Sequence, residues 1–368
     1  MLRYAVIMAG GSGERFWPAS RRARPKQLLR LTDPDLSMIE EAIERIAPLI
    51  PRENILIATS ELLAQPIADA LPALPRENIL TEPEKRNTAA CLALAAAHLE
   101  QRHGRDTEMV MAVLTADHQI GTPDRFRATV ARALDFAAEE DALVTIGVVP
   151  TRPETGYGYI EVAPSPTNDG PPEAGQPIRV LRFREKPSEP IAREYAKSGH
   201  HFWNSGMFFW RVSSLLRGLA THMPDLAAGE HAMVEAIAGR SGATLRDVFL
   251  PLEDVSIDIG LMERANNVWV VPADFPWDDV GAWDALERTR TPDELRNVVV
   301  GDAVLVDVKD SIVFNEPGAA EMAVAVIGLD GVVVATTRDG ILVCPKDRAQ
   351  DVRRAVAELR KKGGERFT

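Results

Sequence analysis

Short apolar runs alternate with helical periods over the first 150 residues, and no other feature of the chain limits its fold as strongly. Residues 4–8, 54–58, 78–80, 109–114 and 143–148 read as strands. Between them, 37–50, 61–70, 88–100 and 125–139 carry helical apolar spacing, the first opening on a Ser37–Glu40 capping box. Strands that alternate with helices call for an α/β fold with a mostly parallel sheet covered on both faces.

After residue 150 the rhythm breaks. Residues 157–162 and 178–184 read as strands divided by a Pro/Gly-rich stretch, 164–177, expected to be an exposed, mobile loop. Helical spacing returns at 212–219 and 229–237, a strand at 268–272, and a helix start at 283–288. From Asn297 onward, Val/Ile-rich runs recur at 298–300, 303–308, 312–314, 323–327, 332–336 and 341–344, separated by turn pairs such as Gly301-Asp302 and Asp330-Gly331. Such spacing predicts a small all-β unit, either a barrel or a stacked solenoid. Residues 348–362 form an amphipathic helix with Val352, Ala355, Val356 and Leu359 on one face, expected to pack on the β unit. The expected division is therefore an α/β domain over 1–290 and a β domain over 295–368.

Composition narrows the function. With 368 residues, 45% apolar and 26% charged, the chain reads as neither disordered nor coiled coil. A net charge of −12 argues against broad binding to nucleic acid or anionic lipid, while leaving room for a basic pocket. No apolar run approaches the roughly 18 residues that span a bilayer, and the N-terminus lacks a signal-peptide pattern. Cys91 and Cys344 read as reduced structural thiols, so the expected compartment is the cytoplasm.

Gly10-Gly11-Ser12-Gly13-Glu14-Arg15 follows the first strand, where a glycine-rich turn lets backbone N–H groups approach phosphate. It is neither a Walker A loop nor a full dinucleotide fingerprint. Cations follow instead: Arg15 is suited to a terminal phosphate, and Lys26 in Pro25-Lys26-Gln27 to a triphosphate. Asp117 ends the 109–114 strand, where α/β sheets bind ligands, and Asp279 in Trp277-Asp278-Asp279-Val280-Gly281 offers a second carboxylate. Two such carboxylates suit Mg²⁺ that also binds phosphates. His118 reads as a supporting residue. Gly158 in Gly156-Tyr157-Gly158-Tyr159, Glu185-Lys186, Asn204 and Asp258 offer what sugar hydroxyls and a sugar phosphate need.

Taken together, these residues resemble the sugar-1-phosphate nucleotidyltransferases. The resemblance also draws on Glu82-Pro83, Arg86-Asn87-Thr88-Ala89, Glu185-Lys186-Pro187, Asn204-Ser205-Gly206-Met207-Phe208 and Ser256-Ile257-Asp258, nine motifs in family order over about residues 5–285. It implies a Rossmann-like mixed, mostly parallel nucleotidyltransferase domain followed by a small left-handed β-helix-like domain. Gly10, Gly11, Gly13, Arg15 and Lys26 would then hold the GTP phosphates, with Arg15 and Lys26 catalytic. Glu82, Asn87 and Thr88 would face guanine, and Asp117 and Asp279 would bind Mg²⁺ or another divalent cation. Gly158, Glu185, Asn204 and Asp258 would grip mannose, and Lys186 its phosphate. Arg86-Asn87-Thr88-Ala89 favours the guanosine/mannose branch, although Ala90 stands where that branch usually has proline and Ile259-Gly260 replaces a usual Tyr-Ala.

The activity so implied is GMP transfer from GTP to mannose 1-phosphate. The alternatives are the same chemistry on another hexose 1-phosphate or NTP, and a non-catalytic subunit that senses sugar nucleotides. Long bifunctional relatives carry an added isomerase domain, and a chain ending at Thr368 is expected to lack that activity. No nucleic acid or membrane partner is expected, and the β unit and last helix could serve a homodimer.

Overall fold

A computed structural model describes residues 1–11, 13–164, 174–316 and 322–368, so most of the expected 164–177 loop lies outside the described residues. The chain forms two compact units. Unit 1 comprises Met1–Met8, Ile43–Thr115 and Ile120–Pro276; unit 2 comprises Ala9–Ala42, Ala116–Gln119 and Trp277–Thr368. This partition cuts the chain at different places from the 1–290 and 295–368 division. Two segments distant in sequence, 9–42 and 116–119, belong with residues 277–368.

Unit 1 is built on nine strands: β1 (Leu2–Met8), β2 (Ile55–Ser60), β3 (Ile79–Glu82), β4 (Met109–Thr115), β6 (Leu143–Val148), β7 (Tyr159–Val162), β8 (Ile178–Arg184), β9 (His201–Arg211) and β10 (Val268–Pro272). A two-residue strand, β5 (Gln119–Ile120), marks where the chain re-enters the unit. The sheet order is β3-β2-β1-β4-β9-β6-β10-β8-β7. Pairing is parallel across β3-β2-β1-β4 and between β6 and β10. β9 lies antiparallel between β4 and β6, and β8 runs antiparallel to β10 and β7. The sheet is therefore mixed, as the resemblance implies, with parallel pairing across β3-β2-β1-β4 and between β6 and β10 and antiparallel pairing elsewhere. A parallel reading rests on strand–helix–strand crossovers, and apolar runs such as 201–211 carry no information about strand direction.

The helices are α1 (Met38–Ile46), α2 (Glu61–Ala70), α3 (Asn87–His103), α4 (Pro123–Glu139), α5 (Glu189–Lys197), α6 (Val212–His222), α7 (Pro224–Ile237) and α8 (Leu245–Phe249). α3 is buried on nearly all sides because six alanines leave room for close packing, and it lies against α7. Each fully buried leucine on it, such as Leu92 or Leu99, contributes about 1.5–3 kcal/mol. That packing fixes the start of α3, where Asn87 and Thr88 sit.

Unit 2 holds β11 (Trp277–Asp278), α9 (Leu286–Thr289), β12 (Val298–Val300), β13 (Val304–Val306), β14 (Ile312–Asn315), β15 (Ala325–Ile327), β16 (Val332–Thr337), β17 (Gly340–Pro345) and α10 (Val352–Lys361). β12, β14 and β16 pair in parallel with Val298, Ile312 and Val333 in register, and β13 pairs in parallel with β15. Parallel pairing of alternate strands resolves the barrel-or-solenoid alternative in favour of stacked coils. β17 closes the stack antiparallel to β16. Val352 and Val356 of α10 are buried as expected, but Ala355 is exposed. The α-helix follows a 3-10 turn over Lys346–Asp351, and Ala355 lies off its buried face.

The glycine-loop segment shares one core with these coils: Phe16 and Trp17 cluster with Trp283, Val298, Phe314 and Val356. The Trp283 indole N–H donates to the Trp17 carbonyl at 3.0 Å, and the Trp17 indole N–H to the Phe367 carbonyl at 2.6 Å. Cys91 and Cys344 are free thiols. Among the described residues no helix is long and apolar enough to cross a membrane.

Candidate active site

Unit 2 gathers the expected phosphate and metal residues. The turn at Lys26–Leu28 buries Lys26 and Gln27, and the Gln27 amide donates to the Ala9 carbonyl at 2.9 Å, pinning the loop at its root. Gly13 adopts φ +60, and a Cβ there would sit 2.4 Å from the Lys26 Cβ. Glycine is needed here for both conformation and space. Gly10 and Gly11 are exposed, and nothing would meet a Cβ on Gly11.

The Lys26 ammonium lies 3.0 Å from an Asp117 carboxylate oxygen and donates to the Asp279 carbonyl at 2.7 Å. The Arg15 guanidinium donates to the Gly281 carbonyl at 3.3 Å. Lys26 thus joins the motifs around residues 26, 117 and 279. Loss of water around Asp117 pushes its carboxyl up, but the charges of Lys26 and His118 and the hydrogen bond from Lys26 outweigh it, leaving the pKa below the usual value. His118 accepts from the Trp277 indole N–H at 3.2 Å, and burial holds its pKa below the usual imidazole value despite Asp117.

Asp278 and Asp279 have separate roles. The buried Asp278 carboxylate accepts from Val280 N at 2.8 Å and from Arg288 through both oxygens. It fixes the turn in which Val280 takes φ +47. The Asp279 side chain instead lies along Gly281, where a Cβ would come within 3.0 Å of its Oδ2. Arg288 escaped the sequence reading, since nothing in its spacing from Asp278 marks it as a clamp.

Unit 1 gathers the expected base and sugar residues. Glu82 ends β3; burial pushes its carboxyl up to about 7 against the opposing effects of Cys91 and Lys85. Asn87 is exposed at φ +59, and its side-chain oxygen accepts from Thr88 N at 3.0 Å. The Thr88 hydroxyl accepts from Ile257 N at 2.9 Å, tying the start of α3 to the Ser256-Ile257-Asp258 segment.

The Asn204 amide donates to Asp258 at 2.8 Å, while its oxygen accepts from Gly206 N at 3.3 Å and from the Thr145 hydroxyl at 3.0 Å. Asp258 opens a single π-helical turn through Met262, a distortion that recurs at functional sites. Burial and the nearby Glu185 raise its carboxyl to about 6. Gly158 lies close against the neighbouring side chains: a Cβ would lie 2.5 Å from Glu185 Oε2, displacing that carboxylate, and 3.4 Å from the Asn204 Cβ. The Lys186 ammonium pairs with Glu185 at 2.8 Å, and Lys186 itself takes φ +44. Such positive φ at bulky residues stores strain where ligands are often held. Gly158, Glu185, Lys186, Asn204 and Asp258 therefore form one cluster. Sequence reasoning missed Thr145, whose hydroxyl positions Asn204, and Glu263, which accepts from Glu185 N at 3.0 Å.

A glycine loop with a buried lysine beside Asp117 in unit 2, and a polar cluster on the mixed sheet of unit 1, are features in keeping with a nucleotidyltransferase. The family model described as nucleotidyl transferase matches residues 4–294, and the chain belongs to that family. Residues 301–359 match a model described as the mannose-phosphate isomerase/GMP-like β-helix domain. A mannose-1-phosphate guanylyltransferase of Klebsiella pneumoniae is 39% identical over 96% of this chain and 73% of its own length. One from Escherichia coli K12 is 37% identical over 98% of this chain and 74% of its own. Among solved structures, a Thermus thermophilus protein described as a mannose-1-phosphate geranyltransferase superposes with a TM-score of 0.85 at 38% identity, covering 98% of this chain and 100% of that one.

Proposed function

We propose that this chain transfers GMP from GTP to α-D-mannose 1-phosphate, giving GDP-mannose and pyrophosphate. The observation that carries this reading is the buried Lys26 ammonium, 3.0 Å from the Asp117 carboxylate and donating to the main-chain carbonyl of Asp279 at 2.7 Å. The guanylyltransferases at 37–39% identity support the choice of nucleotide and sugar.

An oxygen of the sugar phosphate is already anionic, so its attack on the α-phosphorus needs no general base. The chain's task is positioning and charge neutralisation. Gly10, Gly11 and Gly13 present main-chain N–H groups to the phosphates, Arg15 and Lys26 balance their charge, and Glu82, Asn87 and Thr88 take the guanine. Gly158, Glu185, Asn204 and Asp258 orient the mannose, and Lys186 its phosphate. Asp117 and Asp279 fit Mg²⁺, since Asp117 is held ionised and both offer hard oxygen donors. When bound, Mg²⁺ supplies neutralisation of triphosphate and pyrophosphate charge. A Rossmann-like core and a left-handed sense for the stacked coils belong to the same reading.

The test crosses four NTPs with the phosphates of mannose, glucose and fructose and follows pyrophosphate release. GTP with mannose 1-phosphate is expected to be fastest. A faster pair would reassign the substrates, and no release from any pair would make the chain a binding subunit.

A further inference from the structure

On the β7–β9 edge of unit 1, a Glu161 carboxylate oxygen and one ring nitrogen each from His200 and His201 lie within 4.8 Å of one another. Glu161 and His201 face each other across the two strands. His200 sits in a bend just before β9, so strand alternation does not force its ring to the opposite face. Ile160 and Phe202, on the other face, are buried in the main core of unit 1.

Hydrogen bonds fix the His200 ring in the metal-ready tautomer and suit the same tautomer in His201. The Ser198 hydroxyl donates its single proton to the Tyr195 carbonyl at 2.8 Å. With that proton so placed, its contact with His201 Nδ1 at 2.7 Å is an N–H donated by the histidine. His200 Nδ1, at 2.9 Å from the Ser198 carbonyl, can only be a donor as well. With the rings neutral, each Nε2 keeps a lone pair. That of His201 is buried without a hydrogen-bond partner in a residue only 8% exposed. Such an orphaned acceptor is costly. Tyr195 stacks on the His201 ring at 4.0 Å and holds its plane. Second partners that fix the tautomer and plane of a histidine are the usual outer support of a metal ligand.

We propose that Glu161, His200 and His201 bind a borderline divalent cation of the Zn²⁺ type. Two imidazoles and one carboxylate suit Zn²⁺ better than Mg²⁺, and three protein donors leave a position for water. Arg182 is the nearby competitor, with its Nε 3.9 Å from Glu161, a distance that leaves the carboxylate only loosely engaged. The ion would tie β7 to the start of β9 and have no part in the transfer reaction.

The test uses the full chain, stripped with a chelator and held in excess Mg²⁺ to fill hard-oxygen sites. Zn²⁺ is titrated against a chromophoric chelator, and Co²⁺ is followed by its visible absorption. One equivalent of Zn²⁺ and a tetrahedral Co²⁺ spectrum are expected. Glu161→Gln and His200→Ala, both at partly exposed positions, should each weaken Zn²⁺ binding by at least about 10-fold, as should Ser198→Ala through the His201 tautomer. Absence of Zn²⁺ binding by the unsubstituted chain would overturn the proposal. So would unchanged binding in both Glu161→Gln and His200→Ala, or loss of the Zn²⁺ equivalent in Asp117→Asn instead.

Discussion

Lys26 and Asp117 stand about 90 positions apart in the chain, yet the ammonium of one lies 3.0 Å from the carboxylate of the other. The lysine is buried and also donates to the Asp279 carbonyl. Lys26→Met keeps much of the side-chain volume and removes the charge. It should lower pyrophosphate release about 10²–10³-fold, the scale of losing a preorganised donor to developing negative charge. Steady-state kinetics check this, and a rate within a few-fold of the unsubstituted protein would refute the catalytic assignment.

Asp278→Asn and Asp279→Asn should fail in different ways. Asp278 holds Val280 N and Arg288, so its loss should destabilise the fold by about 1.5–3 kcal/mol, the range for hydrogen bonds to charged groups. Asp279→Asn should leave the melting temperature near that of the parent and raise the Mg²⁺ concentration needed for half-maximal rate. Thermal melts beside Mg²⁺ titrations separate the two, and identical behaviour would sink the division of roles.

Gly13→Ala and Gly11→Ala form a second pair. An alanine at 13 would face φ +60, about 1–2 kcal/mol of backbone strain, and a 2.4 Å clash with Lys26. It should destabilise the fold and lower activity together. Alanine at 11 meets nothing, so the melt should hold while GTP affinity falls. Unchanged GTP affinity in Gly11→Ala would remove that residue from the phosphate loop.

Asp258 brings a pH dependence. Its carboxyl, raised to about 6 by burial and Glu185, gains a proton as pH falls through that value and loses acceptor capacity toward the sugar. The kcat/KM for mannose 1-phosphate should therefore drop on the acid side with an apparent pKa near 6. Asp258→Asn should lower kcat/KM and flatten that limb; a limb that persists in the variant assigns it to another group.

Glu100 and Glu230 form a buried carboxyl pair across α3 and α7. Burial, then the hydrogen bond and charge of Glu100, push Glu230 well up from its ordinary value. A carboxyl whose pKa is higher folded than unfolded contributes fully below its unfolded pKa. That contribution is lost as pH rises through the folded value. Melting temperature should thus fall from mildly acidic toward alkaline pH, and Glu230→Gln should reduce that slope. A slope unchanged in the variant would place the proton elsewhere.

Much of the candidate site was legible because the proposed reaction demands particular residue types beside particular local shapes. Gly13, Lys26, Asp117 and Asp279 each stand in a short motif whose chemistry is visible before any fold is known. Strand direction was not legible: the aromatic run before Arg211 looks the same in either orientation, and β9 runs antiparallel between β4 and β6. Partners set by distant packing were equally hidden. Arg288 on Asp278, Thr145 on Asn204 and Ser198 on His201 carry no spacing signal, because each pairing exists only once the backbone has folded. The His200-His201 pair was in plain view, but its link to Glu161 depends on strand register.

Phe16 and Trp17 share their apolar surroundings with Phe314 and Val356, and the Trp17 indole is held by the Phe367 carbonyl. Removing the stacked coils would strip away part of the apolar floor beneath the glycine loop. The coils are therefore part of the foundation of the loop, and substitutions deep in the C-terminal third should be felt in its shape without touching it.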